Sequence, residues 1–162
     1  MIKAVKLKFS LTTNCLIDSD VVINWLTKEV DPASNIPLWE APHKIIKLIE
    51  DKKMVGFVTL MNILEIRFVL RRKKGINERR VNEDIAQILK LFKVVIPDEI
   101  NLLKANQLQM DLPLSPFDAV FIASGLSLGE VTLLTRDKGL LLTASNFLPA
   151  ATPEEFLQSN KF

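Results

Sequence analysis

Residues 14–26 read NCLIDSDVVINWL, and the two acids inside this apolar segment, Asp18 and Asp20, decide how the chain is read. An ionised carboxylate among apolar neighbours is costly to desolvate unless a positive or hydrogen-bonding group meets it. Either the acids sit at a strand end facing water, or they serve a site. Residues 14–18 have the character of a buried strand and residues 20–30 that of the helix after it. The alternation recurs further along. Short β-branched or apolar runs lie at 54–59 (MVGFVT), 93–96 (KVVI) and 131–135 (VTLLT), with a fifth strand expected around Phe147. Helical patterns fill 43–51, 60–73, 77–92 and 98–110, and another helix opens at Ser115-Pro116. Residues 29–42 carry Pro32, Pro37 and Pro42 and read as a long loop. The 60–73 segment is apolar almost all round until its basic end, so it is expected to be largely buried. Strands alternating with helices predict a mainly parallel sheet of four or five strands covered on both faces, a three-layer α/β/α sandwich. Ligands of such sheets sit beyond the carboxyl ends of the strands, where the strand order switches.

Composition narrows the function. The chain has 162 residues, 48% hydrophobic and 25% charged, which describes one packed domain rather than a disordered chain. Residues 14–162 are expected to form that domain, with 1–13 as an N-terminal extension. The longest apolar runs are broken by Glu65, Asp118 or Asp137 and fall short of a membrane span. The first residues lack the apolar core and cleavage pattern of a secretory signal. A single cysteine, Cys15, excludes an internal disulfide and suits a reducing cytoplasm. With one histidine, His43, and one cysteine, neither a structural zinc site nor a Cys/His nucleophile pair is expected. Any metal would be a hard cation on carboxylates.

Most acids lie in polar company, but four do not. Asp18 ends CLI, Glu65 interrupts LMNILEIRFVL, Asp118 interrupts SPFDAVFIAS, and Asp137 follows VTLLTR. Asp18 and Asp137 fall at the carboxyl ends of two strands. Glu65 falls near the second turn of a helix that follows a strand, and Asp118 in the first turn of its own helix. All four can reach one rim of the sheet. Carboxylates gathered there repel each other unless a cation joins them, and Mg²⁺ or Mn²⁺ is the natural one. Such a site suits phosphodiester hydrolysis. Each acid also has a plain structural use: Asp18 as a helix cap, Asp118 in a Ser-Pro-x-Asp start, and Asp137 as a turn residue. Glu65 has the weakest such use. Thr152-Pro153-Glu154-Glu155 is read as capping alone.

Charge is unevenly spread. Residues 67–80, RFVLRRKKGINERR, place seven bases among fourteen positions: Arg67, Arg71, Arg72, Lys73, Lys74, Arg79 and Arg80. A solvated ridge at a helix C-terminus explains them, and such a ridge is also where a polyanion would rest.

The same residues resemble a known family. LIDSDVVINWL, VTLMNILEIRFVL, LSPFDAVFIASGLSLG and TLLTRDKGLL are similar, in order, to the four motifs of PIN-domain ribonucleases. The resemblance spans residues 14–150. It implies that Asp18, Glu65, Asp118 and Asp137 bind Mg²⁺ or Mn²⁺ and carry metal-dependent cleavage of RNA by in-line attack of water. Asp20 stands where the family often has Asn, and would bind metal or support its ligands. Asn24 and Thr135 would support the site through hydrogen bonds, and Gly139 stands where many members carry a further acid. Many small members are toxins, usually dimeric and silenced by an antitoxin protein, so RNA, an antitoxin and a second copy are the implied partners. Two rivals remain open. One is a non-catalytic scaffold of this fold that binds RNA or protein through the basic run. The other is a haloacid-dehalogenase-type phosphatase, suggested by Asp18-Ser19-Asp20 after a strand, which leaves Glu65 and Asp118 without a role.

Overall fold

A computed structural model describes residues 14–160. The expected N-terminal extension, residues 1–13, lies outside the described residues. Strand β1 (Cys15–Ile17) is followed by helices α1 (Ser19–Thr27) and α2 (Glu40–Glu50), β2 (Gly56–Thr59) and α3 (Leu60–Phe68). A π-helical turn (Val69–Lys73) extends α3, before α4 (Glu78–Leu91), β3 (Lys93–Val95), α5 (Glu99–Asp111) and α6 (Pro116–Leu128). The chain closes with β4 (Thr132–Leu134), α7 (Lys138–Ala144), β5 (Ala150–Ala151) and α8 (Pro153–Ser159). The five strands form one parallel sheet in the order β3-β2-β1-β4-β5.

The period of two in β1 assigns its side chains to two cores. Cys15 and Ile17 join the core of α1, α2, α3, α4 and α8, while Leu16 joins that of α5, α6 and α7. Both faces of the sheet are thus covered, which is why the central strands β1 and β4 are buried at every position rather than alternating. Gly56 lets α2 and the end of α4 approach one face of the sheet closely: a Cβ there would lie 2.4 Å from Ile49 Cδ1 and 2.9 Å from Phe92 Cδ1. The strand order reverses between β1 and β4, so the crevice for a ligand opens beyond Ile17 and Leu134.

Three local expectations are corrected. Helix α2 starts at Glu40, inside the expected loop, because Pro42 falls in its first turn, where no backbone N–H is needed. The fifth strand is Ala150–Ala151 rather than around Phe147; Phe147 N–H instead donates to Ala144 O at 2.8 Å, just past the end of α7. Helix α3 is not largely buried. Leu60, Leu64 and Phe68, spaced one turn apart, are 37%, 54% and 58% exposed, and Glu65 is exposed with them. Asn62, Ile63 and Ile66 carry its buried face, and apolar content alone did not distinguish the two sides.

Candidate active site

At the crevice the first wall comes from β1, α1, β2 and α3. Asp18 leaves β1 in extended geometry and caps α1, with its Oδ1 accepting from Ser19 N–H at 2.8 Å. Thr59 and Asn62 form a capping box at the start of α3, in which Thr59 Oγ1 donates to Asn62 Oδ1 at 2.6 Å. This box fixes the amide, and Asn62 Nδ2 donates to Asp18 Oδ1 at 3.2 Å. Thr135, at the end of β4, donates its hydroxyl to Asp18 Oδ2 at 2.8 Å. Ser19 Oγ donates to Glu65 Oε2 at 2.5 Å and so ties α3 to α1. Burial, then the neighbouring Asp20 carboxylate, push the Asp18 pKa up to about 7 against the pull of these donors. Burial also raises that of Asp20, opposed by the Arg136 N–H that donates to its Oδ2 at 2.9 Å.

The second wall comes from α6 and α7. Ser115 caps α6, donating to Asp118 Oδ2 at 2.7 Å while accepting from Asp118 N–H. Asp137 caps α7, with its Oδ1 accepting from Leu140 N–H at 2.8 Å. A Cβ on Gly139 would lie 3.2 Å from that same oxygen, so an acid there would crowd Asp137.

Asp18, Asp20, Glu65, Asp118 and Asp137 all line one cleft of about 240 Å³, together with Ser19, Asn62 and Phe117. Asn24 does not reach it. Its carbonyl accepts from Arg136 Nε at 2.9 Å and its amide donates to Glu29. Sequence reasoning passed over Ser19, Asn62 and Arg136. The Thr59-x-x-Asn62 spacing was a signal for the second, since a capping asparagine among apolar residues has a free amide to spend.

The oxygen-only donor set fits a hard cation. So does Asp20 Oδ1, which is buried without a hydrogen-bond partner among the described residues. As the side chains stand, no three acidic, histidine or cysteine groups among the described residues are clustered closely enough to hold one. Glu65 is drawn to Ser19, Asp118 to Ser115 and Asp137 to its own helix.

The basic run is mostly engaged within the protein. Arg67 donates to Asn82, Arg71 pairs with Glu78, Lys74 with Glu29, Arg79 with Glu83, and Arg80 with the buried Asp84. Arg72 and Lys73 have no acidic partner among the described residues. Among the described residues no helix is long and apolar enough to cross a membrane.

The model of the PIN domain matches residues 15–145. The chain belongs to the PIN-domain family. This is a family generally of nucleases. No curated protein sequence matches the chain. Among solved structures it is similar to FitAcB from Neisseria gonorrhoeae, at 17% identity and a TM-score of 0.62, covering 86% of this chain and 98% of that one. It is also similar to VapBC2 from Rickettsia felis bound to a promoter DNA fragment, at 10% identity and a TM-score of 0.64, covering 86% and 98%. PAE2754 from Pyrobaculum aerophilum matches at 13% identity and a TM-score of 0.63, covering 98% and 97%. At such identities the likeness concerns the fold.

Proposed function

We propose that this PIN-domain protein is a divalent-metal-dependent endoribonuclease whose cleft holds Mg²⁺ or Mn²⁺ on Asp18, Glu65, Asp118 and Asp137, with Asp20 contributing. The observation that carries this reading is the placement of all five acids on one cleft at the switch point of the sheet. Bound there, the cation would polarise a phosphodiester and lower the pKa of the attacking water. The chain's own work is to hold the carboxylates. Thr135, Asn62 and the Ser19 N–H fix both oxygens of Asp18, so its orientation is set before any ligand arrives. Asp118 and Asp137 use one oxygen each in the bonds at their helix starts, and giving up those bonds to turn toward a cation would cost about 1 kcal/mol each. Arg72 and Lys73, the bases of the run that neither a carboxylate nor a side-chain amide engages among the described residues, would meet RNA phosphates.

The similar structures from Klebsiella pneumoniae and Rickettsia felis are a toxin–antitoxin complex and a VapBC2 pair on DNA. By analogy the reading extends to a toxin restrained by an antitoxin protein, and to a homodimer. The exposed Leu64 and Phe68 on α3 support a protein contact, because they line a groove of about 430 Å³ that opens next to the cleft, with Leu60 exposed one turn before them.

The test is cleavage of a mixed RNA pool with Mn²⁺ or Mg²⁺, beside an identically purified Asp18→Asn, Asp118→Asn double variant. Cutting that disappears in the variant and with chelator supports the nuclease. Equal cutting by both marks a contaminant. No cutting by either, with no Mn²⁺ bound, favours the scaffold reading.

A further inference from the structure

Arg136 does not line the cleft, yet it sits between two residues that do the site's work, Thr135 and Asp137. Its guanidinium is gripped from three parts of the chain. Nη1 and Nη2 donate to Glu154 Oε2 and Oε1 at 2.9 and 2.7 Å, Nε donates to Asn24 Oδ1 at 2.9 Å, and Nη2 also donates to Leu38 O at 2.7 Å. The side chain is only 19% exposed. The acceptors are themselves anchored. Glu154 rides on α8, which is pinned by the fully buried Phe156, and Asn24 is buried and bonded to Glu29, which Lys74 meets at 2.9 Å. A grip this extensive fixes the backbone of residue 136. That backbone N–H is the group that holds Asp20 Oδ2 at 2.9 Å and leaves Oδ1 buried and unpartnered. An unpaired carboxylate oxygen in a cleft wall is unfavourable unless a proton or a cation completes it, and a cation also offsets the neighbouring carboxylates.

We propose that Arg136 is a positioning residue for the cation: by clamping the 135–137 turn it holds Asp20 so that Oδ1 serves as a fifth carboxylate ligand. The inference rests on the cation-binding reading of the cleft. It is particular to arginine, since a lysine ammonium lacks the planar fork that spans Glu154 and Asn24 together.

The experiment is calorimetric titration of Mn²⁺ alone into the full chain, without RNA, alongside metal-free melting. Arg136→Gln is expected to weaken Mn²⁺ binding about 10–100-fold, the range for groups that orient metal ligands. Asp20→Asn should weaken it comparably, and the double variant no more than Asp20→Asn alone, because Arg136 acts through Asp20. A merely structural clamp would lower the melting temperature and leave Mn²⁺ affinity unchanged, which overturns the proposal, as does additive weakening in the double variant. If Arg136→Gln does not fold, Glu154→Gln removes half of the fork and should show a smaller loss that again vanishes in the Asp20→Asn background; a loss that persists there overturns the proposal. Asp18→Asn separates the two levels. Binding lost in Asp18→Asn but intact in Arg136→Gln sinks the positioning role alone, whereas a wild type that binds no Mn²⁺ sinks both.

Discussion

On one wall of the cleft Asp18 is held by the N–H of its own helix start, Ser19, and by donors from two distant parts of the chain, Asn62 and Thr135, and Asp20 by the backbone of Arg136. On the other wall the carboxylates of Asp118 and Asp137 are bonded within the starts of their own helices, although the Asp137 backbone N–H also donates to Thr135 Oγ1 at 3.1 Å. The first wall is preorganised and electrostatically unfavourable without a counter-charge, with two half-buried carboxylates near each other whose pKa values are both raised. The second is made of ordinary caps that can let go. A cation bound between them would relieve repulsion on one side and recruit ligands from the other, so the two walls should respond differently to substitution.

The largest difference is expected at Asp18. Asp18→Asn should lower RNA cleavage by roughly 10³-fold, since several kcal/mol of transition-state stabilisation depend on the cation it holds. The same change should raise the metal-free melting temperature at pH 8, because it removes a half-buried charge that its surroundings disfavour; a lower melting temperature would break the contrast between the walls.

Next comes pH. The Asp18 carboxyl keeps its proton up to about pH 7 in the fold but only to 3.8 in its ordinary state. Between those values the folded chain binds more protons than the unfolded one, so metal-free stability should fall as pH rises from about 4 to about 7 and then level off. Mn²⁺ competes with that proton, so its apparent affinity should climb over the same range. Denaturant melts across pH, with and without Mn²⁺, check both; Asp20, raised in the same direction, adds to the slope, so Asp18→Asn should flatten it, and a slope left undiminished there would assign it to another group.

The smallest effect on stability should be on the second wall. Asp137→Asn keeps a good N-cap, so metal-free stability should stay within about 0.5 kcal/mol of wild type while Mn²⁺ affinity falls. A large loss of stability would mean that this wall, too, is held from afar.

Much of this was legible in the sequence. The alternation of short apolar runs with helical patterns gave the parallel sandwich, and strand ends gave Asp18 and Asp137. Capping patterns were equally plain, and at Ser115–Asp118 and Thr152–Glu155 the structure shows the bonds they imply. The misreading of α3 has a physical origin. Its positions are apolar on several sides, and periodicity cannot tell a face covered by the core from one left open. Leu64 and Phe68 are chemically fit for either. The basic run was readable as charge but not as pairing, since Lys74 meets Glu29 across 45 residues.

Although it misplaced the start of α2 and the fifth strand, the sequence by itself determined the alternation of strands and helices and several of their caps, and hence which acids arrive at one rim. Those are local matters of period, cap and breaker, settled within a few residues. Only the tertiary structure decided what each acid meets there. Thr135 reaches Asp18 across 117 residues and Arg136 reaches Asp20 across 116. The reason is that a carboxylate's ionisation and direction are set by burial and by donors within hydrogen-bond reach, and chain spacing does not reveal which donors the fold brings that close.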